Sequence, residues 1–306
     1  MKLVSLITLN LNQPAITEAL LDSLFTKNTY PNIEIIVVDN ASTVNPIPQW
    51  GEKYSTVKFI RSEKNLGFTG GNNLGIAHAK GDYLFIINND TEVTESLISR
   101  LVTTLEQHPE IGVISPKINY FDKPDVLQYT GYTNMNYYTG RNKCIGQFEK
   151  DNGQYDYLTG KTGYAHGAAM LVRREAMEKA GVLCDNFFIY YEELEWCERI
   201  KKAGYEVWVD MRALLYHKES MTVGKQSAFK EYYMNRNRIL FNRKHAPSFA
   251  FIVFTLFFTT IIIPKTLITY IRKKQYHFIP VFRNAIWWNL TNKVNSSEAN
   301  FPPKFR

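Results

Sequence analysis

The chain has 306 residues, of which 45% are hydrophobic, and a formal net charge of +7. That length suffices for one large α/β domain plus an appendage, with a core large enough to stand without disulfide staples. Its three cysteines, Cys144, Cys184 and Cys197, form no C-x-x-C pair and no zinc spacing, which excludes a cysteine-built metal finger and fits a reducing compartment. Residues 3–9 predict a buried first strand. Their apolar run is short, holds Ser5 and Thr8, and lacks a small-residue cleavage site, so a signal peptide is not expected. Pro14 opens a helix through residue 25, and Ile33–Asp39 is a β-branched run of the kind buried in parallel sheets. Residues 57–61 predict a shorter strand, 72–79 a helix, 83–88 a strand, 94–107 a helix and 112–115 a strand. This alternation predicts an α/β fold with a doubly wound, mostly parallel sheet.

Residues 117–165 are rich in Tyr, Asn and Gly and lack periodicity, so loops and short strands are expected there. A strand over 168–173, a helix over 175–180 and a helix over 192–203 follow, the last closed by Gly204. Residues 205–210 are the last clear strand of the body.

Ligands of open α/β sheets bind beyond the carboxyl ends of the strands. Asp39 and Asp90 occupy two such ends, where a carboxylate can hold a base or ribose, coordinate a divalent cation carrying a diphosphate, or simply make a turn. Between them, residues 65–75 carry Gly67, Gly70, Gly71 and Gly75, leading into the helix expected from Asn72. Glycines before a helix let backbone N–H groups approach a phosphate or base, although the spacing matches neither common nucleotide fingerprint. On the helix from 192, Glu195 has Arg199 at i+4 and Glu198 has Lys202, the pattern of surface ion pairs. Glu192 and Glu193 have no cationic neighbour on that helix. Unpaired carboxylates beside Tyr191 and Trp196 are of the kind whose pKa rises into general-base range.

Taken in order, these segments resemble the inverting family 2 glycosyltransferases of the GT-A fold, most of all bacterial rhamnosyltransferases of polysaccharide assembly. The resemblance runs from residue 3 to about His245. It rests on Val37-Val38-Asp39-Asn40-Ala41-Ser42, Asn65-Leu66-Gly67-Phe68 with Gly71-Asn72-Asn73, Asn88-Asn89-Asp90, Gly167-Ala168-Ala169-Met170 with Arg173-Arg174, residues 188–195, His217 with Ser220, and Arg236-Asn237. It implies that Asp39 hydrogen-bonds the donor's base or ribose in a pocket lined by Leu9 and Asn10. Asn65, Gly67, Asn72 and Asn89 would shape the nucleotide and sugar site. Asp90, with His217 as a further ligand, would hold Mn²⁺ or Mg²⁺. Glu193 would take the proton from the acceptor, with Glu192 and Glu195 left open as alternatives. The family's paired-Asp metal motif stands here as Asn88-Asn89-Asp90, and its Glu-Asp pair as Glu192-Glu193. The implied donor is a dTDP- or UDP-linked sugar, and the acceptor a saccharide or lipid-linked saccharide. A catalytically weak membrane scaffold in the same assembly is the alternative. A nucleotidyltransferase is disfavoured because residues 8–13 contain no glycine.

The expected division is a catalytic domain over 1–235, with a nucleotide-binding half over 1–115 and an acceptor half over 116–235, and a helical extension over 236–306. Residues 228–306 hold thirteen Lys and Arg against two Asp and Glu, so the tail carries +11 and the remainder −4. Such a tail seeks anionic phosphates. Its basic residues flank the apolar stretch 249–263 and the segment 266–271 rather than a reading motif, which favours membrane head groups over nucleic acid. Positive residues on both flanks favour peripheral attachment to the cytoplasmic face, by helices lying in or dipping into the interface with Trp287-Trp288 as anchor. A helical hairpin packed on the body or in a homodimer is the other expectation.

Overall fold

A computed structural model describes residues 1–218, 227–296 and 301–302. Ser220, grouped above with His217, lies outside the described residues. The nucleotide half alternates β1 (Val4–Asn10), α1 (Pro14–Lys27), β2 (Ile33–Asp39), α2 (Ile47–Lys53), β3 (Lys58–Arg61), α3 (Gly67–Ile76) and β4 (Tyr83–Ile87). Next come β5 (Thr91–Val93), α4 (Leu97–Gln107), β6 (Ile111–Tyr120), β7 (Lys123–Tyr129), β8 (Thr159–Lys161), β9 (Ala169–Arg173), α5 (Arg174–Ala180), α6 (Glu192–Lys202) and β10 (Glu206–His217). The main sheet runs β3-β2-β1-β4-β9-β6-β10-β5. Six of these eight strands point one way, while β9 inserts antiparallel between β4 and β6, and β5 pairs antiparallel with β10.

Successive residues of a strand face opposite sides of a sheet, and β1 divides its side chains accordingly. Leu6 joins Leu20, Leu21 and Leu24 of α1 and Leu101 of α4, whereas Ile7 joins Ile36, Ile86, Val172 and Trp196 on the other side. All of these are at most 2% exposed. Each such side chain contributes about 1.5–3 kcal/mol when fully buried.

The glycine-rich segment is helix from Gly67, five residues earlier than its composition suggests. The glycines serve close packing: a Cβ on Gly75 would lie 2.4 Å from Ile7 Cγ2. The final body strand extends to His217, well beyond residue 210, because β6 pairs with it in parallel to Tyr120 across a register shift after Asp210. Within 117–165, β7 and β8 and isolated bridges give the tyrosine-rich region regular pairing that periodicity does not reveal.

The tail comprises α7 (Ala228–His245), α8 (Ser248–Phe257), α9 (Ile263–Arg272) and α10 (Phe278–Thr291). Helix α7 continues through residue 235, where the sequence suggests a domain boundary. A π-helical turn, Phe258–Ile262, joins α8 to α9, so Pro264 does not break the helix. Looser i→i+5 bonding accommodates the missing proline N–H and its ring. The run Ser248–Arg272 is long and apolar enough to cross a membrane, and only 17% of its apolar window is buried. By contrast α10 packs along α7 through Val281, Ala285 and Trp288, and meets Phe258 and Tyr270 through Phe282. This separates the two tryptophans paired as an anchor above. Trp287 is 61% exposed, while Trp288 is buried with the Arg236 guanidinium 4.7 Å from its ring.

Candidate active site

Strand order reverses at β1, the switch point where doubly wound sheets bind ligands. A cavity of about 300 Å³ opens there, lined by Leu9, Asn40, Asn65, Gly67, Asn88, Asn89, Asp90 and Phe188 among others. Asn40 organises its floor. Its Oδ1 accepts from Leu66 N at 2.9 Å, and its Nδ2 donates to Gly67 O at 3.0 Å and Asn65 Oδ1 at 3.2 Å. Gly67 has φ +71, and a Cβ there would lie 2.6 Å from Phe188 O. The N–H groups of Phe68 and Thr69 donate to that same carbonyl at 2.7 and 3.2 Å. The start of α3 is thus capped by the loop before α6, so these two N–H groups are already engaged rather than free for a phosphate. Asn72 is 1% exposed and donates to Phe68 O, with its Oδ1 unpartnered.

Asp39 is fully buried behind this floor. Its carboxylate pairs with Arg61 at 2.5 Å and accepts from Asn10 Nδ2 at 2.8 Å and from the Ser42 hydroxyl. Asn10 in turn accepts from Thr17, whose hydroxyl also receives Asn89 Nδ2 at 3.0 Å. Asp39 therefore shapes the pocket through Asn10, Ser42 and Arg61 rather than lining it. Arg61 is absent from the sequence-derived set because only the β2–β3 register places it opposite Asp39.

Asp90 follows β4 at the cavity wall, and the end of β10 brings His217 to it. His217 Nε2 lies 3.0 Å from Asp90 Oδ1, and Nδ1 lies 2.9 Å from Gln128 Oε1. Burial pushes the Asp90 carboxyl up, but the His217 hydrogen bond and charge outweigh it and leave its pKa lowered. No cluster of three or more metal-ligating side chains occurs among the described residues. The pair nevertheless fits a Mg²⁺ or Mn²⁺ site. Such ions use one or two carboxylates with substrate phosphates and water, and adjacent octahedral ligands about 2.1 Å from the ion stand about 3 Å apart.

The turn His166–Gly167 links this pair to the glutamates. The His166 ring lies edge-on to His217, 6.2 Å between centroids, and its pKa falls to about 3 through burial and His217. His166 Nδ1 accepts from Ala168 N at 3.1 Å, which places the ring proton on Nε2. On the other side, a Cβ on Gly167 would lie 3.7 Å from Glu193 Cδ. Glu193 opens α6 beside Glu192, and the Oε2 atom of each is buried without a hydrogen-bond partner. Burial pushes Glu193 up to about 7, and burial with the Glu193 charge pushes Glu192 well above the carboxylate range. Their unpaired state agrees with the sequence.

Two other expectations for this helix are corrected. Glu195 is not a surface residue: it is fully buried and paired with Arg199 at 2.8 Å and Lys244 at 3.0 Å. Burial raises its pKa, but His245, Arg199 and Lys244 outweigh that and hold it at about 2. Glu198 pairs with Lys201 at 3.0 Å rather than with Lys202.

The segment before α6 is strained, with Phe188, Tyr190 and Tyr191 at φ between +65 and +72. Side chains from α7 hold it. Asn237 Nδ2 lies within 2.7–2.9 Å of the carbonyls of Phe187, Ile189 and Tyr190. Buried Arg236 donates to the carbonyls of Asn186 and Phe187. The sequence singles out Arg236-Asn237 as a motif, but only the tertiary structure reveals this contact.

This sheet, with its crevice at the β1 switch point and Asp90 on the crevice wall, is the GT-A fold of nucleotide-diphospho-sugar transferases. The model of "Glycosyl transferase family 2" matches residues 5–181, more than half of the chain, and the protein belongs to that family. It is 28% identical over 229 residues to the low-salt glycan biosynthesis hexosyltransferase Agl10 of Haloferax volcanii, covering 70% of each chain. It is 24% identical to N-acetylglucosaminyl-diphospho-decaprenol L-rhamnosyltransferase of Mycobacterium tuberculosis, covering 62% of this chain and 68% of that one. In fold it resembles a mannosyltransferase from Pyrobaculum calidifontis solved with GDP-Man and Mn²⁺, with TM-score 0.58 and 14% identity over 95% of this chain and 88% of that one.

Proposed function

We propose that this family 2 glycosyltransferase moves a hexose-type sugar, rhamnose being the leading candidate, from a dTDP- or UDP-linked donor to a hydroxyl of a saccharide or lipid-linked acceptor, with inversion, in the synthesis of cell-surface polysaccharide. One observation carries the reading. The His166–Gly167 turn has the Asp90–His217 pair on one side and the Glu193 carboxyl, its Oε2 unpartnered, on the other. Leaving group and nucleophile would therefore meet across a single turn. Asp90 and His217 would hold Mn²⁺ or Mg²⁺, which when bound supplies positive charge to the departing diphosphate. Asn40, Asn65 and Gly67 would orient the nucleotide over the cavity floor. Glu193 would accept the acceptor's proton, a role suited to a pKa of about 7. One base and a displacement from the opposite face suffice for inversion. The rhamnosyltransferase and hexosyltransferase relatives support the sugar class.

The exposed apolar side chains of α8 and α9, followed by the basic residues Arg272, Lys273 and Lys274, would lie in the cytoplasmic membrane interface and bring the site to a lipid-linked acceptor. Calorimetric titration with nucleoside diphosphates and their sugars, with and without Mn²⁺, tests the proposal. Metal-dependent binding of one nucleotide is expected. Absence of binding to all of them would turn the reading toward a membrane scaffold.

A further inference from the structure

A buried arginine lies where α7 meets the loop before α6. Arg238 of α7 is only 9% exposed. Its guanidinium donates to Thr139 O, its Nε is buried without a hydrogen-bond partner, and its Cζ lies 5.9 and 5.6 Å from the rings of Phe254 and Phe258. Exposed Arg141 stands nearby on a turn closed by Asn136 N donating to Arg141 O at 2.9 Å. The turn is pressed onto Arg238 at Gly140, where φ is +60 and a Cβ would lie 3.2 Å from Arg238 Nε and 2.9 Å from Phe254. Neither arginine makes an ion pair among the described residues.

Burial lowers the Arg238 pKa, Tyr191 opposing this and exposed Arg141 adding to it, so a buried guanidinium stands here without a carboxylate counterion among the described residues. Such an arrangement is costly unless an anion completes it. The adjacent Asn237 of α7 donates to the carbonyls of Ile189 and Tyr190, which places this corner beside the loop that leads into Glu192 and Glu193. Helix α8, whose Phe254 meets Arg238, leaves Phe249, Ile252 and Leu256 exposed. A cavity of about 320 Å³ opens at its foot between Tyr138 and Ala250.

We propose that Arg141 and Arg238 bind the phosphate or diphosphate of a lipid-borne acceptor, holding its sugar hydroxyl toward Glu193 and its chain along α8. The chemistry fits. Guanidinium forks pair two N–H groups with phosphate oxygens, and an apolar chain leaving this corner meets the uncovered face of α8. The acceptor role rests on the glycosyltransferase reading, whereas the anion site does not.

The test uses the full chain as wild type, Arg141→Ala, Arg141→Glu and Arg238→Lys. Farnesyl diphosphate binding is measured in EDTA, pelleting with phosphatidylglycerol vesicles in parallel, and nucleoside diphosphate binding with Mn²⁺ on the same preparations. Each variant is expected to weaken farnesyl diphosphate binding about ten- to a hundred-fold, the loss of one or two charge-assisted hydrogen bonds. Nucleotide binding should be unchanged, which also certifies the fold. Retained vesicle pelleting would assign the site to the acceptor's diphosphate. Lost pelleting with wild-type farnesyl diphosphate binding would make the ligand a bulk head group and overturn the acceptor role. Wild-type values in both arms, or no farnesyl diphosphate binding by the wild type, would overturn the site. Absence of nucleotide binding in every protein would sink the glycosyltransferase reading alone, leaving the arginine site to the farnesyl diphosphate arm.

Discussion

His217 Nε2 lies 3.0 Å from Asp90 Oδ1, joining the end of β10 to the turn after β4 across 127 residues of chain. Gln128 fixes the far side of the same ring at 2.9 Å. Asp90→Ala is expected to abolish metal-dependent nucleotide binding and turnover. Gln128→Ala is expected to raise the Mn²⁺ requirement about 10–100-fold, as loss of an orienting partner does at metal sites. Mn²⁺ titrations of nucleotide binding check both, and a wild-type curve for Asp90→Ala would remove Asp90 from the metal site.

Glu193→Gln is expected to leave donor binding near normal and to cut turnover by about 10²–10⁴. Glu195, held at about 2 by its cations, is too weak a base to compensate. A wild-type rate in the variant would move the proton transfer to Glu192.

The pH dependence follows from the same carboxyl. A base must be ionised to act, so wild-type turnover should rise with pH through about 7 and level off above it. Stability should respond in the opposite sense. The folded pKa is raised from 4.5, so between 4.5 and about 7 the native state keeps a proton that the unfolded chain has lost, and stability falls as pH rises through that window. Glu193→Gln should therefore raise the melting temperature at pH 8 and change it little at pH 4. Thermal scans at the two pH values check this, and a lower melting temperature at pH 8 would contradict the burial argument.

Asn237→Ala removes one amide that holds three carbonyls of the strained loop before α6. It should lower turnover more than it lowers donor affinity. Asn237→Asp, which sets a carboxylate against those carbonyls, should be worse than alanine in both turnover and stability. Steady-state kinetics with melting curves separate the cases, and equal activity in all three proteins would release the loop from α7.

Cutting the chain after Ala246 is a poor test of membrane attachment, because it also strips Trp288 from Arg236 and removes the Asn289 Nδ2 that donates to Arg236 O at 2.9 Å. Serine at Phe249, Ile252 and Leu256, which are 57–70% exposed, spares those contacts. The triple variant should keep its melting temperature and lose vesicle pelleting. Undiminished pelleting would sink the interfacial role of α8.

Local pattern was enough to place β1, α1, β2, β4 and α6, because β-branched runs, Pro14 and Gly204 act through the residues beside them. It was also enough to single out Asp90 at a strand end and Glu192 and Glu193 without cationic neighbours at helical spacing, whereas His217 came from the resemblance to family 2. Tertiary structure decided what depends on register and packing across long chain separations. It placed Arg61 on Asp39 through the β2–β3 pairing, buried Glu195 under Lys244, and turned the glycines of α3 toward Ile7 and Phe188. It likewise split Trp287 from Trp288, because a side chain's burial is set by which face of α10 meets α7. Those contacts lie tens to hundreds of residues apart, and no local spacing encodes them.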